Sequence, residues 1–274
     1  MTIYEQLQAL QQIETAYEDW TDYRRVMTDY VLTHTGADST LAIFGAGACN
    51  DIDLALLSGH FQKIVLIDSN AAAMDRARAR YGLTDYPRLQ CSVCNLTGIT
   101  PRRYEEFTDL LLDQIKIFGT DIDMDLLADC AISYLHDVYD HLPAQPVVFA
   151  ADSFDYSISF GLHSQLNNMF AWIFDAVSAS LTGQDHKVHS YIASQTGTIV
   201  KKANNTIFHC TKKAAFLANE RMNTASDPPV SGAYECIMDV KDRYPHCQAA
   251  LVDWPFDPKR NLTYQMLLQT VAMS

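Results

Sequence analysis

The chain has 274 residues, 48% of them hydrophobic and 19% charged, with a formal net charge of −13. That is enough for one large domain with a substantial core. The acidic balance and the scattered Lys and Arg exclude duplex nucleic acid and anionic membranes as expected partners, since both are bound by clustered cations.

The elements follow in chain order. The first residues, "MTIYEQLQAL", lack the basic-then-apolar pattern of a secretory leader. Residues 3–33 read as one or two helices, with Ile3, Leu7, Leu10, Ile13, Tyr17 and Trp20 at three- and four-residue spacing. A second stripe runs through Tyr23, Val26, Met27, Tyr30 and Val31. "LAIF" (41–44) then reads as a strand covered on both faces, because it is apolar without alternation. A Gly-rich loop and a short helix at 52–57 lead to a second strand, "KIVLID" (63–68), a helix at 71–82 and a third strand, "RLQCSV" (88–93). Long helical stretches at 103–117 and 124–142 precede a fourth strand, "FDYSISF" (154–160), and a helix at about 165–181. Residues 186–203 read as helix, "TIFHCT" (206–211) as the fifth strand, and 214–223 and 234–243 as helices. "QAALVDW" (248–254) and "LTYQMLLQTVAM" (262–273) are joined by too few residues for a crossover and should lie antiparallel.

The expected architecture is α/β: an open, mostly parallel seven-stranded sheet with helices on both faces and a C-terminal antiparallel hairpin. Residues 1–37 form an N-terminal helical extension, and 38–274 the main domain with a helical insertion at about 102–145. Seven cysteines, an odd number without a framework of spacings, predict reduced thiols and a cytoplasmic protein. Cys91 and Cys94 form a lone CxxC whose members point to opposite faces of a strand, wrong for a shared metal. "DIDMD" (121–125) lacks the glycine and terminal Glu of a calcium loop. The His136/His141 and His186/His189 pairs have no evident third ligand, so no metal is expected.

In an open parallel sheet, ligands sit beyond the carboxyl ends of the strands where the strand order reverses. Three features fall on such ends. Gly45-Ala46-Gly47 follows the first strand, where glycine lets backbone approach a ligand and the next helix presents free N–H groups. Asp68 ends the second strand, 23 residues beyond Gly45, where a carboxylate can accept both ribose hydroxyls; capping of the next helix is its ordinary alternative. Asn95 follows the third strand, and its amide can read an adenine edge. In that order they point to an adenosine cofactor.

The stretches "LAIFGAGACNDIDL", "IVLIDSN", "CNLTGI" and "FDYSISFGLHSQL", with the terminal hairpin, make the chain resemble the class I S-adenosylmethionine-dependent methyltransferases over residues 38–274. The resemblance implies S-adenosylmethionine as cofactor. It places Gly45, Ala46 and Gly47 under the methionine part, Asp68 and Ser69 at the ribose, and Asn95 and Leu96 at the adenine, with Asp51 and Phe160 alongside. Departures are Ile43, where the family has an acid, Cys49 in place of a third glycine, and the uncharged Asn95. Asp51 either restores polarity near the loop or caps the next helix. The resemblance also implies methyl transfer to a small molecule; neither an Asn-Pro-Pro-Tyr-like segment nor a Pro-Cys nucleophile, marks of DNA methylation, is present. Two other readings stand beside it: a cofactor-binding protein without catalysis, and a nicotinamide-dependent oxidoreductase, for which Asn50 is a poor helix start.

Methyl transfer requires mainly an oriented nucleophile. His163, in the loop after the fourth strand, is either a general base or a packing residue, and Gln165 could orient a substrate. Trp20 and Tyr23 are candidates for a substrate-covering lid, or else dock the extension as Tyr30 does.

Overall fold

The structure is a computed structural model that describes all residues except 120–121, 145–146, 148, 182–185, 223–228 and 274. The N-terminal extension holds α1 (Ile3–Leu10), opened by a Thr2/Glu5 capping box, α2 (Ala16–Asp19) and α3 (Thr21–His34). Then follow β1 (Thr40–Phe44), α4 (Leu54–His60), β2 (Lys63–Asp68), α5 (Ala71–Arg80) and β3 (Leu89–Val93). Two helices come next, α6 (Pro101–Phe118), with proline in its first turn, and α7 (Met124–Asp140), capped by Asp123. After β4 (Phe154–Phe160) a 3-10 turn at His163–Gln165 leads into α8 (Met169–Ser178) and α9 (Lys187–Cys210). The chain ends with β5 (Thr211–Met222), α10 (Ala233–Arg243), β6 (Gln248–Asp257) and β7 (Leu262–Ala272).

The seven strands form one sheet in the order β3-β2-β1-β4-β5-β7-β6. The first five pair in parallel, while β7 runs antiparallel between β5 and β6. The chain builds outward from β1 to β3, then returns to β4 on the other side of β1. The order therefore reverses between β1 and β4, and the crevice of such a sheet opens beyond their carboxyl ends.

Each face of the sheet has its own core. On one face α6–α10 bury Phe107, Leu111, Leu127, Leu135, Phe170 and Ile207. On the other α3, α4 and α5 bury Met27, Val31, Leu54, Leu57 and Met74 against Leu41, Ile43, Ile158 and Phe216. The extension serves both faces. Tyr4 of α1 stacks on Tyr104 of α6 at 5.0 Å, on the first face, whereas α3 packs on the second. Residues 11–20 thus cross from one face to the other, touching α5 through an Arg76–Gln12 hydrogen bond and β6 through a Trp20 Nε1–Phe256 carbonyl bond of 3.0 Å.

Most expected elements stand within a few residues of their places, and β2 and β4 have the expected bounds. The fifth strand does not. "TIFHC" (206–210) is the end of α9, because Val188, Ile192, Thr196, Ile199, Ala203 and Ile207 form one unbroken helical stripe on the core, and of the expected strand only Thr211 belongs to β5. The true β5 falls on residues expected to be helical; of that stretch, Asn223 lies outside the described residues. Ala215, Phe216, Leu217 and Ala218 are all fully buried, as in a strand with covered faces and neighbours on both sides. Helix-favouring Ala, Leu and Glu are overruled there by tertiary packing.

Candidate functional site

The ends of the parallel strands β1, β2, β3 and β4 lie along the same edge of the sheet. Gly45 takes a φ of +68°, its N–H bonds the Ile67 carbonyl at 2.9 Å, and a Cβ there would lie 2.8 Å from Leu162 Cδ1. The loops after β1 and β4 are therefore in contact only because residue 45 lacks a side chain. Gly47 (φ +49°) differs: a Cβ on it would meet no atom nearer than the Gly45 carbonyl oxygen at 4.0 Å, so its backbone faces open space. Cys49, where a third glycine was expected, keeps the left-handed conformation (φ +48°) and is buried. Burial, with Asp51 and Asp68 nearby, pushes its thiol well above the usual range, so it stays protonated.

Asp68 joins two of the loops. Its Oδ2 accepts from Gly47 N–H at 2.8 Å and its Oδ1 from Asn70 N–H at 2.7 Å. The carboxylate is half-buried, and each oxygen keeps a further lone pair. Helix capping falls to Asn70, whose Oδ1 accepts from Ala73 N–H at 3.0 Å. Ser69 is exposed beside it.

Asn95 is occupied within its own loop. Its Oδ1 accepts from Thr97 N–H, the Thr97 hydroxyl and Gly98 N–H, and its Nδ2 donates to the Ile99 carbonyl at 2.6 Å. The expected adenine reading through the carbonyl oxygen does not fit these bonds; one amide hydrogen remains uncommitted. Leu96, in the loop after β3, and Phe160, the last residue of β4, are buried, 7% and 5% exposed. Asp51 does not cap α4, a role taken by Asp53, whose Oδ1 accepts from Ala55 and Leu56. Desolvation raises the Asp51 carboxyl to about 6, opposed by a backbone hydrogen bond and by Arg24.

The extension is pinned to this loop by residues that the sequence reading passed over. Arg24 is buried and donates to the Tyr17 carbonyl at 2.7 Å and the Asn50 carbonyl at 3.0 Å. Thr28 accepts from Asp53 N–H at 2.8 Å. The Tyr17 ring takes the guanidinium groups of Arg24 and Arg80, at 4.1 and 4.4 Å from its centroid. Arg24 beside Arg25 in an amphipathic helix reads as a solvated face, so only its tertiary partners single it out. Trp20 and Tyr23 serve as docking residues. Tyr23 stacks on Trp254 of β6 at 5.5 Å and Trp20 meets the same indole edge-on at 4.8 Å. Trp254 in turn lies against Gly161, where a Cβ would be 3.5 Å from the indole.

His163 is a correction. It is fully buried, and its Nε2 bonds Asn204 Oδ1 at 2.9 Å, in a network that continues through Asn204 Nδ2 to Asp239 and from Asp239 to Arg243. A general base must reach the substrate proton, and this imidazole is turned into the helical layer instead. Gln165 is exposed on the 3-10 turn.

Burial also holds the His163 imidazole down to about 4, against the raising effect of Asn204, Asn219 and Asp239. A histidine depressed in this way leaves stability intact above its unfolded value of 6.5 and subtracts from it as the pH falls toward 4. The raised Asp51 works in the opposite sense between its unfolded value of 3.8 and about 6. The comparison of wild type with His163→Gln isolates the imidazole. Urea denaturation should show wild type losing about 3 kcal/mol more than the variant between pH 7 and pH 4. Parallel profiles would refute a buried neutral imidazole.

Among the described residues, no group of three or more His, Cys, Asp and Glu side chains is placed to hold a metal ion. None of their helices is long and apolar enough to cross a membrane.

No family model matches the chain, and no curated protein does. Solved structures do. The N-methyltransferase NodS from Bradyrhizobium japonicum WM9, crystallised with S-adenosyl-L-homocysteine, aligns over 98% of this chain and 97% of its own, at 11% identity and a TM-score of 0.50. A SAM-dependent methyltransferase from Aquifex aeolicus aligns over 99% and 100% at 11% identity, with a TM-score of 0.45. Magnesium protoporphyrin IX methyltransferase from Synechocystis PCC 6803 aligns over 96% and 89% at 7% identity, with a TM-score of 0.44. The likeness to NodS shows the fold alone, shared over nearly the whole length of both chains.

Proposed function

We propose that the chain binds S-adenosylmethionine and methylates a small molecule. The observation that carries this reading is the Gly47 N–H to Asp68 Oδ2 bond of 2.8 Å, which joins the open-faced glycine loop to the acid at the end of β2, beside the point where strand order reverses. The residues fit an adenosine cofactor. Gly45–Gly47 offer backbone beneath it, with Ala46 buried in support, and the remaining lone pairs of Asp68 suit ribose hydroxyls. Ser69 is accessible at the ribose end, Leu96 and Phe160 supply apolar walls, and Asn95 shapes the loop around them. When bound, the cofactor supplies an electrophilic methyl group. The protein's own part is to orient the acceptor and exclude water, for which the extension, held over the glycine loop by Arg24 and Thr28, is suited.

A net charge of −13 favours a small molecule over nucleic acid as the acceptor. The cysteines are free thiols, in keeping with a reducing, cytoplasmic setting. Cofactor binding without catalysis is the second reading, favoured by Ile43, which is buried in the sheet where the resembled family carries an acid.

Calorimetric titration with S-adenosylhomocysteine and with NADH is the test. Binding of the first and not the second is expected. Failure to bind S-adenosylhomocysteine overturns the reading, and binding of NADH alone would favour the oxidoreductase.

A further inference from the structure

The sheet ends on two edge strands, β3 and β6. β3 is short, five residues, whereas β6 runs for ten, Gln248–Asp257. From Gln248 to Trp254 the register with β7 is unbroken, and the irregularity comes only between Trp254 and Asp257, around Pro255. Alternate residues of such a strand turn their N–H and C=O away from the neighbouring strand. Among the described residues, no group hydrogen-bonds the backbone of 248–253 from that outer side. The hydrogen bond from the extension to this strand falls further along, from Trp20 Nε1 to the Phe256 carbonyl.

Open sheet edges are ordinarily guarded by Lys, Pro, a bulge or an inward-pointing charge. "QAALVDW" has none of these before Pro255, and its single charge, Asp253, is exposed. Val252 and Trp254 belong to the core under α3, while Ala249, Leu251 and Asp253 on the opposite face are exposed, Leu251 by 51%. The segment is also complementary to itself. Leu251 is its midpoint, and antiparallel pairing of two copies centred there uses every regular position. Leu251 then meets Leu251 of the second copy, Ala250 faces Val252, Ala249 faces Asp253 and Gln248 faces Trp254. Each unlike pair sets a smaller side chain against a larger one. The one acid faces alanine instead of its own copy, which avoids the cost of like charges directly opposite.

We propose that β6 is a self-association edge, at which two copies of the chain pair antiparallel through residues 248–254 about a two-fold axis at Leu251. The two sheets then run on as one. Such a contact is the same patch on both copies and closes at the dimer, since each copy uses its only long edge. A single strand pair covers less surface than a standard interface, so the dimer is weak, with a Kd of about 10 µM. Each copy carries a net charge of −13, a long-range repulsion that salt screens, so the dimer tightens as ionic strength rises. Pairing here needs neither cofactor nor substrate.

Sedimentation velocity of the full chain, between about 1 and about 100 µM and at about 50 and about 500 mM NaCl, reads the association. A monomer–dimer equilibrium is expected, tighter at the higher salt. Leu251→Lys sets like charges face to face on the axis and should weaken the dimer about tenfold or more, with the melting temperature unchanged. Leu251→Cys should give a disulfide-linked dimer under diamide, because residues meeting on the axis lie about 4.5–5.5 Å apart. It should cross-link about tenfold faster than wild type, and than Val93→Cys on the other, equally accessible edge. If Leu251→Lys melts early, the cross-link decides alone. A chain that stays monomeric at the highest concentration in both salts leaves the edge to another strand or to water, and overturns the proposal. So does a dimer that a folded Leu251→Lys variant keeps at wild-type strength, or a Leu251→Cys variant that cross-links no faster than Val93→Cys. Growth beyond the dimer overturns it as well, since a closed pair leaves no long edge free.

Discussion

Asp68→Ala should weaken S-adenosylhomocysteine binding more than a hundredfold and also loosen the apo fold by about 3 kcal/mol. The two effects have one cause. The carboxylate holds Gly47 N–H on one oxygen and Asn70 N–H on the other, so its removal strands two backbone donors at the mouth of the crevice. Hydrogen bonds to a charged group contribute about 1.5–3 kcal/mol each, toward the lower end where water can replace them. Asp68→Asn keeps one acceptor oxygen and should lie between wild type and alanine in both measurements, urea denaturation for stability and calorimetry for binding. Unchanged binding in Asp68→Ala would remove the carboxylate from the cofactor site and leave it a purely structural tie.

Gly45→Ala should destabilise the protein by about 3 kcal/mol, the sum of a left-handed residue acquiring a Cβ and that Cβ meeting Leu162. The φ of +68° and the 2.8 Å approach to Leu162 Cδ1 are separate costs, and a double-mutant cycle separates them. Leu162→Ala in the Gly45→Ala background removes the Cδ1 and Cγ contacts but keeps the Leu162 Cβ at 3.0 Å, so it should return part of the steric cost, a coupling of about 1 kcal/mol, and leave the conformational part. Gly47→Ala is the informative contrast. With nothing but the Gly45 carbonyl oxygen at 4.0 Å from its Cβ, its structural cost is the conformational part alone, and its main effect should fall on cofactor binding. If Gly45→Ala and Gly47→Ala melt alike, the two loops are not in contact at Gly45.

The glycine loop was legible because its signals are local. An apolar strand, two glycines and an acid ending the next strand all lie within 28 residues, from Leu41 to Asp68. The roles of Asn95 and His163 were not legible, because each depends on where its neighbours fold. Asn95 is an ordinary loop-end amide until Thr97, Gly98 and Ile99 close around it. His163 occupies the expected loop, but the side chain turns toward Asn204, 41 positions further along the chain. Glu220 was hidden by a wrong element. In a helix over 214–223 it would read as a solvated charge, whereas in β5 it is a buried acid next to the loop after β4.

By itself, the sequence determined the α/β class, the places of β1–β4, the antiparallel pairing of the last two strands and the glycine–acid pair at the first two strand ends. These follow from periodicity, chain length between strands and turn chemistry, which act over a few residues. Only the tertiary structure decided where β5 lies, that β7 enters the sheet between β5 and β6, and that the extension crosses from one face to the other over Arg24 and Trp254. Those outcomes depend on which surfaces are buried against each other. Ala215–Ala218 form a strand because β4 and β7 flank them and helices cover them, a fact no window of their own residues contains.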